Sequence, residues 1–250
     1  MKMPSYGICG YCVILCDHPV EFGEVTMDKY TSSVRTIHYK DIAMVVSLAP
    51  YILPPKRDNV FAYQDVISRV TESYTVLPLS FGNVFRSEND VVILLEKLYE
   101  QAQELLSNLH NKIEMGLHIL GKKEWIDKEA DFDQELLAVK SNLGKMTSDA
   151  AYYERIKGGE VAQRFFSRLQ QKVVEEIFKP LEVLAEATKL NDPVGDRALL
   201  NAAFLINKEI EATFDNKVYE LYELWQDKLE FKYNGPWPAY NFVNIRLTVK

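Results

Sequence analysis

The sequence predicts an α+β protein of two domains. The N-terminal one is a small mixed sheet with helices, and the C-terminal one is a modified ferredoxin-like βαββαβ unit. Three observations predict this. Short apolar or alternating runs recur along the chain, bounded by Pro, Gly, Asn or Asp. Between them lie apolar stripes at helical spacings of three and four. From Ile113 onward the order is strand, helices, strand, strand, helix, strand, which is the split βαβ pattern once the extra helical piece at 124–143 is set aside.

Taken in order, Tyr6–Leu15 (YGICGYCVIL) reads as a buried strand. Asp17–Tyr30, with Pro19 and Gly23, reads as a polar connection. Val34–Tyr39 and Ala43–Leu48 read as a hairpin around Lys40-Asp41. Pro50, Pro54 and Pro55 break the chain, and Asp58 is placed to cap a helix to about Ser73. The inner face of that helix is expected at Val60, Phe61, Val66, Ile67 and Val70. Thr75–Phe81 returns as a strand ended by Gly82. Ser87, with Asp90 three residues on, opens a helix over Glu88–Leu109. Its positions Val91, Leu94, Leu95, Leu98, Tyr99, Ala102, Leu105, Leu106 and Leu109 make one continuous stripe.

In the second half, Ile113–Leu120 reads as a strand, Glu124–Leu143 as helix and Lys145–Gly159 as loop. Glu160–Pro180 is a helix with Phe165, Leu169, Val173 and Ile177 inward. Leu184–Leu190 and Arg197–Ile206 are strands around a turn at Asn191–Gly195. Lys208–Trp225 is a helix, Leu229–Tyr233 a strand, Asn234–Pro238 a turn, and Phe242–Val249 an apolar-alternating tail. The domain boundary is expected near Asn111, giving domains over 1–111 and 112–250.

Composition narrows the function classes. The chain has 250 residues, 47% of them hydrophobic and 26% charged, with net charge -7 and pI ≈ 5.3. A duplex-binding domain is normally basic with clustered Lys/Arg, so nucleic acid is an unexpected partner, as is an anionic membrane surface. No run reaches the ~18 apolar residues of a spanning helix. The N-terminus lacks the pattern of a signal peptide, and a cytoplasmic location is expected.

The three cysteines are Cys9, Cys12 and Cys16. A CxxC pair suggests redox or zinc chemistry. On a regular strand, however, residues three apart point to opposite faces and lie roughly 10 Å apart. That exceeds the ~7 Å Cα separation a disulfide tolerates. Buried thiols are the expectation. None of the four histidines, His18, His38, His110 and His118, sits in a catalytic or metal-ligating motif. No phosphate-binding glycine loop is present, and Gly158-Gly159 reads as a turn. No cofactor, no metal and no enzymatic activity are expected.

Several segments together resemble one family. Val76-Leu77-Pro78-Leu79-Ser80-Phe81-Gly82-Asn83-Val84-Phe85 is similar to a "vlPlrFGtvf" signature, and Lys112–Leu117 to a "k.E.glkv" strand. Ala150-Ala151-Tyr152-Tyr153 is similar to "g.aYl", and Leu200–Ile206 to "lnaaFLv". Gly235-Pro236-Trp237-Pro238-Ala239-Tyr240-Asn241-Phe242 is similar to "GPWPPYsF". In this order they resemble the gas vesicle protein F/L family. Ser80 stands where arginine is common, and Ala239 replaces the second proline.

The resemblance implies an accessory protein for assembling gas vesicles. It would bind the small, very hydrophobic shell protein, other accessory proteins, or both, preventing aggregation and helping nucleation. A minor constituent of the shell is the alternative, and an enzyme of unrecognised type a more distant one. Two segments are candidate contact sites. The first is Pro236, Trp237, Tyr240 and Phe242, where prolines fix the backbone and Trp and Tyr are favoured anchors. The other reading of Trp237 is a plug that fixes the tail. The second is Phe81 and Phe85 in Pro78–Phe85, whose other reading is a buried strand turning into the helix. An exposed edge strand of the second domain is a third way to pair with a β-rich partner.

Overall fold

The computed structural model describes residues 6–143 and 148–243, with backbone only for Lys140, Leu143 and Ser148–Lys157. The chain is α+β and divides into two compact units. One runs to Ile113 and includes the described residues from Trp237 onward; the other is Glu114–Pro236. The division falls inside Gly235-Pro236-Trp237-Pro238, whereas the sequence expectation keeps everything after Asn111 together.

In the first unit the sheet order is β2-β3-β4-β1-β5, with β6 also pairing with β1. The strands are β1 (Tyr6–Leu15), β2 (Glu21–Met27), β3 (Tyr30–Tyr39), β4 (Ile42–Pro50), β5 (Val76–Pro78) and β6 (Val84–Phe85). β1 is central and buried on both faces, which is why it reads as a continuous apolar run. Helix α1 (Arg57–Thr71) packs Tyr63, Val66, Ile67 and Val70 into a cluster with Cys9, Tyr11, Cys12, Ile14 and Val45. Helix α2 (Glu88–Asn108) buries the expected stripe Val91, Leu95, Leu98, Ala102 and Leu106. Each fully buried leucine contributes about 1.5–3 kcal/mol. The predicted capping box closes its N-terminus, with Ser87 Oγ accepting from the Asp90 N–H at 3.2 Å and Asp90 Oδ2 from the Ser87 N–H at 3.1 Å.

Three expectations for this unit are corrected. Asp17–Tyr30 is not merely a connection; it carries β2, an edge strand paired antiparallel with β3. The hairpin turns through Asp28 (φ 46) and Lys29 (φ 74), two non-glycine residues in left-handed conformation. Asn59, buried on α1, holds that turn: its Oδ1 accepts from the Asp28 N–H at 2.9 Å and its Nδ2 donates to the Pro54 carbonyl at 2.9 Å. Asp58 is not the cap of α1 but lies in its first turn, after N-cap Lys56; a carboxylate there suits the helix dipole. Phe61 points outward, 55% exposed, under the Arg57 guanidinium at 5.2 Å.

The β3–β4 hairpin is as predicted, and α2 is fastened to it. Asp41 accepts from Tyr99 Oη at 2.7 Å and Gln103 Nε2 at 2.8 Å. Lys40 Nζ lies 4.1 Å from the Tyr99 ring centroid. The Tyr99 hydrogen bond, followed by the Gln103 bond and Lys40, holds the Asp41 carboxyl below its ordinary range, while desolvation opposes them.

In the second unit β7 (Lys112–Gly121), β8 (Ala187–Leu190), β9 (Ala198–Asn207) and β10 (Leu229–Trp237) form a sheet in the order β10-β7-β9-β8. Numbering these strands from one to four gives 4-1-3-2, the ferredoxin-like arrangement. The modification is helical: α3 (Lys123–Phe132) and α4 (Gln134–Leu143) precede α5 (Ser148–Val173). Residues 148–159, expected as loop, are helical, and Gly158-Gly159 lies inside α5; residues 145–147 fall outside the described residues. α5 continues through a wide π turn, Val174–Phe178, into α6 (Lys179–Glu182). Pro180 supplies the reason: it lacks an N–H and its ring crowds the carbonyl four residues back. After a 3₁₀ turn, α7 (Glu211–Trp225) buries Phe214, Val218, Leu221 and Trp225. Phe204 stands 5.4 Å from Phe178 and 5.3 Å from Phe214, ring to ring.

β10 is longer than predicted. Asn234–Trp237, expected as a turn, continues the strand, because Pro236 sits on an outer strand where proline is tolerated. Gly235 (φ 131) is required: a Cβ there would lie 2.9 Å from Met115 Sδ and 3.0 Å from the Glu114 carbonyl. The apolar tail expected over Phe242–Val249 is described only at Phe242 and Val243; the remainder lies outside the described residues.

Left-handed backbone costs a side-chain-bearing residue about 1–2 kcal/mol. Lys29→Gly is therefore expected to raise the unfolding free energy by roughly 0.5–1 kcal/mol after the added flexibility of the unfolded chain is subtracted. Urea denaturation of both proteins checks this, with an unchanged m-value and a higher midpoint expected.

Candidate partner-binding surface

Pro78–Phe85 is built onto β1 as a strand broken in the middle. β5 pairs with Cys12–Ile14 and β6 with Ile8–Cys9, both antiparallel. Between them the chain turns through Gly82 (φ 92). The break matches a bulge in β1: its register to β4 shifts between Gly10 and Cys12, with Tyr11 as the extra residue. Leu79 N–H donates to the Tyr11 carbonyl at 2.8 Å, and Gly10 N–H to the Asn83 carbonyl at 3.0 Å.

The Tyr63 hydroxyl sits at the centre of this junction. It lies 3.0 and 3.2 Å from the carbonyls of Gly10 and Tyr11, and 3.0 and 3.2 Å from those of Leu79 and Ser80. One proton serves four acceptors, so the bond is shared. The Tyr63 ring meets Tyr11 at 4.9 Å and Phe81 edge-on at 5.3 Å. Burial first, then the neighbouring Cys9, Tyr240, Cys12 and Tyr11, push the Tyr63 hydroxyl pKa far up, so it stays a donor. Phe81 is half-buried against the core beside it. Phe85 is half-buried over Gly10, where an added Cβ would meet Phe85 Cε2 at 3.0 Å. These two aromatic rings thus act in the packing of the sheet edge.

The other candidate segment is more open. Trp237 is 41% exposed and Tyr240 38%, Pro236 is exposed and Phe242 half-buried. Ala239 between them is 4% exposed and anchors the segment. A tight turn follows, with Phe242 and Val243 N–H groups both donating to the Ala239 carbonyl at 3.1 Å. Sequence reasoning missed Tyr63. The signal was there: Tyr63 falls four residues after Asn59 and three before Val66, on the face that α1 buries.

The cysteines correct a geometric expectation. The bulge at Tyr11 resets the alternation of β1, so Cys9, opposite Ser47, and Cys12, opposite Val45, face the same α1-side cluster instead of opposite sides. All three cysteines are buried free thiols. Burial pushes the Cys9 thiol up to about 12, against a smaller opposing effect of the Tyr11 hydrogen bond, and burial pushes Cys12 up as well. Cys16, Asp17 and His18 are close together but do not form a relay. His18 Nδ1 is the atom that meets both Asp17 Oδ1, at 2.9 Å, and Cys16 Sγ, at 3.9 Å, whereas a base-and-orienter pair needs both ring nitrogens. Among the described residues no group of three or more His, Cys, Asp or Glu is arranged to hold a metal ion. No described helix is long and apolar enough to cross a membrane.

Fold and surface together define a two-unit α+β protein whose notable surface features are exposed aromatic side chains on a proline-fixed segment. The sequence model of the family described as "Gas vesicle synthesis protein GvpL/GvpF" matches residues 10–244, and the chain belongs to that family. It is 26% identical over 218 residues to gas vesicle protein F1 of Halobacterium salinarum, covering 86% of this chain and 83% of that one. To gas vesicle protein F of a Streptomyces species it is 27% identical over 212 residues, covering 84% and 87%. Its fold is similar to the crystal structure of gas vesicle protein GvpF from Microcystis aeruginosa, with TM-score 0.82 and 22% identity over 96% of this chain and 99% of the other. GvpF from Anabaena superposes with TM-score 0.78 at 21% identity, covering 98% and 99%.

The buried thiols give a pH prediction. Cys9 ionises at 9.0 when free and at about 12 in the fold, so the native state holds its proton more tightly. That contribution is fully present below pH 9 and is lost as pH rises toward about 12. Titration with a chromogenic disulfide at pH 8 is expected to leave all three thiols unmodified in the native protein and to count three in urea. Fast native reaction at Cys9 or Cys12 would contradict the burial.

Proposed function

We propose that the chain is a gas vesicle assembly accessory protein that acts in the cytoplasm by binding, not by catalysis. It holds the hydrophobic shell protein, other accessory proteins, or both, before and during nucleation of the vesicle. Membership of the family supports the gas vesicle role. The exposure of Trp237 and Tyr240 is the observation that carries the binding role. Large aromatics on the surface leave apolar area in water unless a partner covers it. Pro236 and Pro238 limit the backbone, so little freedom is lost when a partner docks. Phe81 and Phe85 serve this reading as support, since they pack the edge of the first sheet.

A shell protein that must remain apolar to form a wall exposes unpaired β edges in water and aggregates. A folded binder that covers those edges suppresses aggregation without nucleotide hydrolysis. A persistent minor constituent of the shell uses the same contacts, so the two readings differ in residence time.

Co-expression of the shell protein with a tagged form of this chain tests the proposal. The expected result is a soluble shell protein that co-elutes. Precipitated shell protein with nothing co-eluting would overturn direct shielding. Trp237→Ala is expected to weaken co-elution about tenfold or more, the scale of a buried interface tryptophan, while its thermal melt remains cooperative.

A further inference from the structure

Helices α3, α4 and α5 of the second unit are held in different ways. α3 buries Trp125 and Ile126. Trp125 stands edge-on to Trp225 at 6.4 Å, and Gly121 makes room for Ile126, whose Cδ1 would lie 2.7 Å from an added Cβ. α5 buries Val161, Phe165, Leu169 and Val173 at a spacing of four. These two helices are fastened by apolar side chains.

α4 has no such anchor. Among its described side chains none is buried; Leu136 and Val139 are half-buried and the others are exposed. Leu137 is 43% exposed, and Phe132, at the end of α3, is 76% exposed. Apolar surface thus faces water as well as α5. A helix of ten residues is also too short to be stable by itself. Something other than burial keeps it in place.

Charge supplies that hold. α4 runs antiparallel to α5, so that Asp133 meets Arg168, Glu135 meets Arg164 and Val139 meets Gly158. Arg164 Nη2 lies 3.1 Å from Glu135 Oε2, and Arg168 Nη1 lies 3.7 Å from Glu135 Oε1. Arg168 Nη2 donates to Asp133 Oδ2. The other carboxylate oxygen of Asp133 accepts from the Leu136 N–H at 3.0 Å, so one side chain both starts α4 and ties it to α5. The Asp133 backbone is extended (φ -81, ψ 113), which separates anchored α3 from α4. At the other end a glycine gives the close approach: a Cβ on Gly158 would lie 3.2 Å from Val139 Cγ1.

We infer that α4 is a strap latched to α5 by the ion pairs of Asp133 and Glu135 with Arg164 and Arg168, and that it releases as a unit from Asp133 onward while the sheet of the second unit stays folded. Exposed ion pairs each contribute little and are screened by salt. A helix held by them opens locally at small cost and responds to charge. Release uncovers Leu136, Val139 and the α5 surface around Gly158, which the latched state withholds from a partner. The inference concerns the second unit alone and does not depend on the gas vesicle reading.

Hydrogen exchange of the full chain, read by mass spectrometry in about 0.1 M and about 1 M sodium chloride, tests it. Between these the screening length falls from about 10 Å to about 3 Å. Peptides covering α4 are expected to exchange about fivefold faster in the higher salt, while those from β9 and α7 stay unchanged. Replacing both arginines, Arg164→Gln with Arg168→Gln, is expected to give fast exchange of α4 at both salt concentrations with a thermal melt that remains cooperative. Glu135→Gln is expected to act in the same direction and more weakly. Four results overturn the inference: α4 protected as strongly as β9, exchange of α4 indifferent to salt, a salt effect that persists when both arginines are replaced, or acceleration that spreads to β9 and α7, which is a loss of global stability and not the opening of a latch.

Discussion

One shared hydrogen bond organises the first unit. The bulge at Tyr11 turns the carbonyls of Gly10 and Tyr11 out of the regular ladder, and the broken strand opposite leaves those of Leu79 and Ser80 in the same position. Buried carbonyls need donors, and the Tyr63 hydroxyl reaches all four. That requirement fixes the depth and rotation of α1 on the sheet and ties the Pro78–Phe85 segment to β1. It also explains why an interrupted strand is stable in place of a regular one: the interruption and the bulge are complementary, and one side chain satisfies both. The chain then reaches Ser87 at the position where the capping box starts α2.

What the sequence made legible depended on local signals that act alone. β1 reads as a buried strand because both its faces are covered. α2 reads correctly because Ser87 and Asp90 mark its start and its stripe is uninterrupted. The 4-1-3-2 sheet follows from the order of elements, each with its own period. The features that were hidden depend on residues distant in sequence. β2 was hidden because its hairpin turns through Asp28-Lys29, which lacks the usual glycine and is held by Asn59 from α1. The N-terminal half of α5 was hidden because Gly158-Gly159 costs about 1 kcal/mol per glycine in a helix, and α4 packs beside it. The shared face of Cys9 and Cys12 was hidden because a bulge leaves no mark in a sequence that is apolar throughout.

The candidate site divides in the same way. The motif residues were legible, but their roles were not. Phe81 and Phe85 hold an edge together, while Trp237 and Tyr240 present surface around a buried Ala239.

The central claim is that this protein works through contacts made by its exposed aromatic surface. Replacing Tyr240 with a photo-reactive phenylalanine analogue in cells that form gas vesicles, followed by illumination and mass spectrometry, tests it most directly. The account predicts cross-links from position 240 to the shell protein or to another gas vesicle protein, and none from an analogue placed at the buried position Phe204. Cross-links from position 240 confined to this chain's own residues would contradict it.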